Sequence, residues 1–459
     1  MNIRLDNMIR INRSELPDGV MGILRKRLIF KNPLYYRNKR YGRPNYNIRP
    51  TIECIWEDKE NGVVAIARGF LYPLIRILHA NRLQFELTDS TRKLPQADFD
   101  FQGAPYSYQY EAWSELPESR FGILVGPMGS GKKVLALGLI ASRGVPSLVV
   151  VTTKRAMYQW KDMARRFLGL GQDNIGLIGD GHRELGKKFT IGITLTSYKV
   201  LDELKAQTGF LIIDDCTKVN LKVFLRFSKF DCPYQLGLAR ARNRGDGLTG
   251  LMYAYLGERT AEIWPEDGWA SWQGLGEKRP LLKIKMTDFA WDNADDWAGM
   301  VSALCRDEDR TRLVVADILQ AIADPSARAL VISGRISHLE ELLGRIKRSY
   351  RDGEIITGEV GDSRREQIAR KFERGKLQLI LTTFKSLPTI EIKRVNRLFV
   401  LSPFKCEDHL IGIIGKLLQS ANRGSQPVIY DYVDRPKVLQ TSLRKRVKLY
   451  CSMGAVKVA

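Results

Sequence analysis

At 459 residues and 44% hydrophobic content, the chain is long enough for two to four domains, each with its own core, and has the composition of a soluble globular protein. Its 73 basic residues outnumber 51 acidic ones for a net charge of +22, which points to a polyanionic partner, nucleic acid ahead of a membrane surface. The chain lacks an apolar run of about 18 residues, an apolar leader, a Cys-x-x-Cys pair and histidines at ligand spacing. These absences argue against a membrane-spanning helix, a secreted disulfide scaffold and a metal-site fold. The expected setting is the cytoplasm, with association to the nucleoid in a prokaryote.

Residues 1–103 differ in character from the rest and read as a small, basic accessory domain. In Tyr35-Tyr36-Arg37-Asn38-Lys39-Arg40-Tyr41-Gly42-Arg43-Pro44-Asn45-Tyr46, aromatic rings interleave with cations. Arg37, Lys39, Arg40 and Arg43 suit phosphate contacts while the tyrosines stack on bases or sugars. The same pattern suits a basic surface loop whose tyrosines pack inward, and both readings stand. Beyond it, Cys54–Trp56 and Gly62–Ile66 are predicted strands and Leu71–Ala80 a helix.

From Phe121 onward, short apolar runs alternate with helical stretches. Phe121–Val125, Ser147–Val151, Thr190–Leu195, Phe210–Ile213 and Tyr234–Leu238 read as buried strands, with helices such as Lys133–Ala141 and Ala156–Phe167 between them. This is the rhythm of a parallel sheet covered on both faces. The first such α/β unit is placed at 104–257. A second, at 308–443, opens with a helix at Arg310–Ala323 and continues through strands at Ala329–Ile332, Leu377–Leu381, Arg397–Leu401 and Val428–Tyr432. The intervening 258–307 carries Trp264, Trp269, Trp272, Trp291 and Trp297, a density that suits packing at a domain junction, with base stacking as the alternative. Residues 444–459 read as a basic tail.

Between the first predicted strand and helix of this series lies Gly126-Pro127-Met128-Gly129-Ser130-Gly131-Lys132-Lys133. It follows the phosphate-cradling pattern G-x-x-x-x-G-K-[ST]. The glycines of that pattern turn backbone N–H groups towards phosphates, its Lys reaches the β/γ-phosphates, and its last hydroxyl holds Mg²⁺. Gly126, Gly129, Ser130, Gly131 and Lys132 are thus candidate ATP ligands. The last position is Lys133, a cation with no lone pair to offer a metal.

Further motifs follow in order, and together they resemble superfamily 2 (DEAD/DEAH-type) helicases and translocases of the XPB-like group, from about residue 100 to the C-terminus. Tyr108-Gln109 looks like the segment that this group places before its nucleotide loop, which implies a nucleotide contact for Gln109. Thr152-Thr153-Lys154 resembles motif Ia, and Thr196-Ser197 the next strand-end contact to a nucleic-acid backbone. Asp214-Asp215-Cys216-Thr217 stands where the D-E-x-H box is expected, in which Asp214 would hold Mg²⁺. Thr357-Gly358 and Thr382-Thr383 match backbone-contacting positions of the second unit, and the ending Ile429-Tyr430-Asp431-Tyr432-Val433-Asp434 is also similar. The resemblance implies an α/β fold of two tandem RecA-like parallel-sheet domains, of helicase ATP-binding and C-terminal types, preceded by a small α+β accessory domain. It also implies an ancestral DNA-dependent ATPase or helicase activity.

The departures fall on the groups that perform hydrolysis. Asp215 replaces the Glu that positions the attacking water, shorter by one methylene, and a misplacement of about an ångström can cost on the order of 10²-fold. Thr217 replaces the coupling His, Ala239-Arg240-Ala241 stands for Thr-Ala-Thr, and Leu387-Pro388-Thr389 for a flexible Gly-Glu-Gly turn. In the Q-x-x-G-R-x-x-R motif, Lys416 and Gln419 replace arginines that reach the γ-phosphate. Such arginines are worth about 10³–10⁵ in rate, and an ammonium does not reproduce their planar fork. Arg240, Arg242 and Arg244 add positive charge nearby, as nucleic-acid contacts, as a substitute for a missing cation, or as solvated surface. The expectation is a pseudo-helicase that binds duplex or branched DNA as a clamp or scaffold with protein partners in a larger nucleoprotein complex. ATP would bind weakly or without turnover, with Mg²⁺ at Asp214 disfavoured. A slow ATP-dependent helicase or translocase, and a protein-interaction module for an active helicase or nuclease, are the alternatives.

Overall fold

Runs such as Phe121–Val125, Ser147–Val151 and Phe210–Ile213 are apolar at every position, so a strand covered on both faces is what buries them, and they are fully buried. The computed structural model describes residues 1–126, 129–227, 229–263, 279–293, 296–387, 390, 392, 394–403, 407–421 and 426–458. It divides into two units, Met1–Ile263 and Trp264–Ala459. Among the described residues the large sheet of the first unit has eight strands. Their order is His182–Arg183, Ile175–Gly179, Phe189–Ile193, Ser147–Val151, Phe210–Ile213, Tyr234–Ala239, Phe121–Val125 and Arg259–Glu262. Every pair but the first is parallel. Parallel pairing sends the carboxyl ends of neighbouring strands to the same edge, where open α/β sheets place their ligands. The loops after Phe121–Val125, Tyr234–Ala239 and Phe210–Ile213 therefore emerge side by side.

The accessory region holds a second sheet, of five strands among the described residues, ordered Ile55–Asp58, Val63–Ala67, Met8–Asn12, Asn2–Leu5 and Glu86–Asp89. Ile3, Leu5, Ile9 and Ile11 point inward while the residues between them face out, the alternation of a one-sided sheet. The helix Leu71–Ala80 forms as predicted. Residue 103 does not separate two cores, however. Ile3, Leu24, Val64 and Leu74 share one hydrophobic cluster with Phe121, Ile123, Leu211 and Leu251 of the first unit's large sheet and its helices. Backbone meets backbone at this junction: a Cβ on Gly69 would lie 2.3 Å from the Gly257 nitrogen, so neither side tolerates a larger residue there.

Arg68 locks the junction from within. It is 0% exposed, donates from Nη1 to the Cys232 carbonyl at 2.7 Å and from Nε to Gln235 Oε1 at 3.1 Å, and lies 5.0 Å from the Phe121 ring centroid. Gln235 in turn donates to the Tyr255 carbonyl at 3.1 Å. Arg68→Ala would leave buried acceptors without a donor and remove the stem that packs on Phe121. The expected cost is about 3 kcal/mol, read as a lower urea midpoint, with earlier proteolytic release of the accessory region.

The second unit repeats the parallel pattern. Its seven strands among the described residues are ordered Gly353–Ile356, Leu379–Thr383, Ala329–Ser333, Arg397–Val400, Val428–Val433, Leu281–Met286 and Val456–Val458, all parallel. The segment 258–307 is thus more than a connector. Arg259–Glu262 joins the first sheet and Leu281–Met286 the second, and alternating Lys283 and Lys285 hide the latter from a search for apolar runs. Trp291 packs on a small cluster with Phe289, Met300, Leu304 and Leu439, whereas Trp297 is 38% exposed. Trp264, Trp269 and Trp272 lie outside the described residues.

The basic tail is a correction. Residues 437–452 form one helix across the expected boundary at 443, and Val456–Val458 adds an edge strand. Arg446 faces inward, 8% exposed, and is clamped to Asp431 at 2.7 and 2.8 Å. Charge on a helix does not reveal which of its cations faces a buried carboxylate. Among the described residues no helix is long and apolar enough to cross a membrane.

Candidate functional site

The nucleotide-type loop leaves Phe121–Val125 and enters the helix Lys132–Arg143. Gly126 N–H donates to the Ala239 carbonyl at 3.0 Å, tying the loop to the next strand's end. Gly131 has φ +81°, which favours glycine, and a Cβ there would sit 2.1 Å from Gln109 Nε2 and push that amide aside. Gly129 is likewise left-handed at φ +86°; Pro127 and Met128 lie outside the described residues. Gln109 is 1% exposed, donates to the Ser130 carbonyl at 2.7 Å and accepts from Tyr106 N–H at 2.9 Å. It props the loop from beneath. Lys132 folds back inside, donating to the Gly126 carbonyl and to Ser130 Oγ at 3.3 Å. Desolvation pushes its ammonium down to about 7, against the pull of Asp214.

The acidic box follows Phe210–Ile213, and both of its carboxylates are engaged by cations of the chain. Asp214 Oδ2 accepts from Trp160 Nε1 at 2.8 Å and pairs with Lys133 Nζ at 3.2 Å. Lys133 Nζ also lies 5.4 Å from the Trp160 ring centroid and 3.5 Å from Gln159 Oε1. Asp215 sits at φ +52°, a conformation that Asp tolerates better than most residues. Its Oδ2 pairs with Arg240 at 3.1 Å and Lys218 at 3.8 Å, while the buried Oδ1 accepts no hydrogen bond among the described residues. Thr217 is half-buried in the turn beyond. Of the three added arginines, Arg240 is the counterion of Asp215 and Arg242 that of Glu262. Arg244 is 8% exposed and bound to Asp246 and the Cys216 carbonyl. All three are paired within the chain, although Arg242 stays exposed, and for Arg240 and Arg242 the acids lie 20 or more positions away, out of reach of a linear reading.

The residues read as backbone contacts divide by exposure. Thr152 is exposed at its strand end, Thr153 Oγ1 accepts from Ala156 N–H at 3.1 Å as the helix N-cap, and Lys154 pairs with Asp180. Thr196 is half-buried, but Ser197 is 0% exposed and donates to the Ile193 carbonyl at 2.9 Å. In the second unit, Thr357 is buried and Gly358 exposed, and Arg365 donates to both of their carbonyls at 3.1 and 2.9 Å. Thr382 is 0% exposed and donates to the Ile356 carbonyl at 2.8 Å, and Thr383 donates to Ser386 Oγ at 3.0 Å. Lys416 Nζ donates to the Ile390 carbonyl at 3.1 Å from the helix Glu407–Ala421, which also carries Gln419. Pro388 and Thr389 lie outside the described residues.

The basic-aromatic segment is a built surface. Asn32 caps the helix Pro33–Arg40, with Pro33 in its first turn, and Asn45 Nδ2 reaches back to the Tyr35 carbonyl at 3.2 Å to fold the following loop onto it. Arg37, Lys39, Arg40 and Arg43 are exposed and form no ion pair among the described residues. Tyr36, Tyr41 and Tyr46 are 44%, 66% and 84% exposed, so these three do not pack inward. The sequence carries the reason that these cations lack nearby acids: from Gly19 to Ile52 the chain contains no Asp or Glu.

No protein-family profile matches the chain. It is 24% identical over 293 residues to a Haloarcula marismortui protein named for the DNA 3'-5' helicase Rad25, covering 60% of this chain and 44% of that protein. It is 23% identical over 354 residues to the DNA 3'-5' translocase XPB2 of Sulfurisphaera tokodaii, covering 69% of this chain and 79% of that protein. The chain thus spans less than half the length of the first relative. In structure it matches the helicase domain of Pyrococcus furiosus Hef with a TM-score of 0.51 at 10% identity, over 74% of this chain and 98% of that one. The chain is thus similar to proteins named as DNA 3'-5' helicases and translocases, and its two parallel-sheet α/β units have the fold of helicase domains.

Proposed function

We propose that the protein grips duplex or branched DNA as a clamp or scaffold without turning over ATP, alongside protein partners in a nucleoprotein complex. The observation that carries the reading is the double neutralisation of the acidic box, Lys133 on Asp214 and Arg240 on Asp215. A carboxylate held by an ammonium at 3.2 Å is a poor seat for Mg²⁺. Asp215 Oδ2, the oxygen that would face an attacking water, is instead occupied by Arg240 at 3.1 Å. Lys416, engaged with a backbone carbonyl, supplies no planar fork for a γ-phosphate. The DNA grip rests on the +22 charge, on the exposed cations Arg37, Lys39, Arg40 and Arg43, and on relatives named as DNA helicases and translocases. The cytoplasm is the compartment proposed for this work.

Phosphate release by the full chain with Mg²⁺ and ATP should stay at the protein-free background whether or not duplex or forked DNA is added. That is a deficit of about 10³–10⁵ for a missing arginine alone. DNA-stimulated release that Lys132→Ala abolishes would sink the reading. One observation favours the second reading, a slow translocase: Asp215 Oδ1 is a buried acceptor with no hydrogen bond among the described residues, of the kind that can hold a water.

A further inference from the structure

We propose that the Lys133 ammonium takes the place of the magnesium ion, so that the loop binds a nucleoside di- or triphosphate without any divalent metal. The inference rests on the reading of this loop as a nucleotide site without turnover, and concerns what neutralises the phosphates there.

The donor set does not fit Mg²⁺. That ion demands hard oxygen ligands at about 2.0–2.1 Å in near-octahedral array. The position that should offer a hydroxyl offers an ammonium, and the carboxylate that should complete the site accepts from that ammonium at 3.2 Å and from Trp160 Nε1 at 2.8 Å, both on Oδ2. A dication placed at Asp214 would lie against a like charge that cannot leave without losing its own partner.

Lys133 is also seated rather than loose. It occupies the first turn of Lys132–Arg143, its ammonium is bounded by the Asp214 carboxylate, the Trp160 indole at 5.4 Å and Gln159 Oε1 at 3.5 Å, and its side chain is 26% exposed. A cation on an indole face beside a carboxylate is held from three sides. Lys132 lies on the inner side of the same loop, next to the Gly126 carbonyl and Ser130 Oγ. A polyphosphate entering the loop would meet the Lys133 ammonium with Lys132 Nζ at the adjacent position, and lysine is an effective phosphate partner as a point charge. Gly129 and Gly131 both take positive φ, a backbone conformation that contributes to anion-binding concavities.

The test titrates the full chain with fluorescently labelled ADP and ATP, followed by anisotropy, in excess Mg²⁺ and in excess EDTA. The rise in melting temperature with each unlabelled nucleotide is measured in both buffers, and free phosphate is assayed in the same samples. The expected result is binding whose Kd agrees within about twofold in the two buffers, with equal melting shifts. Lys133→Thr should create a preference of about tenfold or more for Mg²⁺ over EDTA, because it restores a hydroxyl and releases Asp214. Should that variant fail to fold, the wild-type comparison decides alone. Binding that weakens tenfold or more in EDTA overturns the proposal, as does no binding in either buffer. Magnesium-dependent binding without phosphate release would overturn this inference only, while rapid release would overturn the absence of turnover as well.

Discussion

Raising the salt concentration from 50 to 200 mM should weaken duplex DNA binding by the intact chain by about 10³–10⁵-fold, the loss expected for 6–10 phosphate contacts, with little dependence on sequence. The physical source is counterion release: each cation that neutralises a phosphate frees condensed salt. The chain holds a net +22, and Arg37, Lys39, Arg40 and Arg43 lie exposed in a segment with no acid from Gly19 to Ile52. Replacing these four by Ser should reduce the slope of log K against log[salt] by roughly 3 to 4. Stability should stay nearly unchanged, since exposed side chains without such partners each contribute within about 0.5 kcal/mol. Filter binding or anisotropy across salt measures both quantities. Binding that ignores salt, or a slope unaltered in the quadruple variant, would remove this surface from the interface.

Asp431→Ala should be the most damaging single substitution in the second unit, costing about 3–5 kcal/mol. For a unit of this size that lowers its thermal midpoint by about 10 °C. Asp431 is 1% exposed and accepts from Arg446 Nε and Nη2 at 2.8 and 2.7 Å, from Tyr450 Oη at 2.7 Å and from Tyr432 N–H at 2.8 Å. Its removal strands a buried guanidinium on the terminal helix Lys437–Ser452. The double variant Asp431→Leu with Arg446→Met removes both charges and should recover most of the loss, because an apolar pair carries no desolvation penalty. Urea melts of the three proteins settle the matter; equal losses in single and double variants would mean that packing, not charge, holds the helix.

The ending Ile429–Asp434 shows how motif and structure divide the explanation. From the sequence it is a resemblance alone. In the structure Asp431 anchors the terminal helix, and Asp434 accepts from Arg310 Nε at 2.8 Å and Thr287 Oγ1 at 2.6 Å, so the stretch is a buried polar lock of the second unit. The reverse occurs at Asn2–Leu5 and Met8–Asn12. Their alternation of Ile and Leu with polar residues, broken only at Met8, is legible, yet strands of four and five residues are short enough to pass for a loop. The strand predicted at Thr190–Leu195 ends at Ile193, because Thr194–Ser197 turns into a short helix.

What the linear chain determined by itself are properties written in neighbouring residues: strands apolar throughout and therefore parallel and covered, a glycine loop between strand and helix, a surplus of cations, and a lysine where a hydroxyl is required. Burial and backbone geometry act over a few residues, so they leave a local trace. The pairing of Lys133 with Asp214, of Arg240 with Asp215 and of Arg446 with Asp431, and the insertion of Arg68 beside Gln235 167 positions away, were decided only by the tertiary structure. A charge looks the same in sequence whether it faces water or a buried acid. Only the packing of the sheets and helices selects its partner, and with it the chemistry of the site.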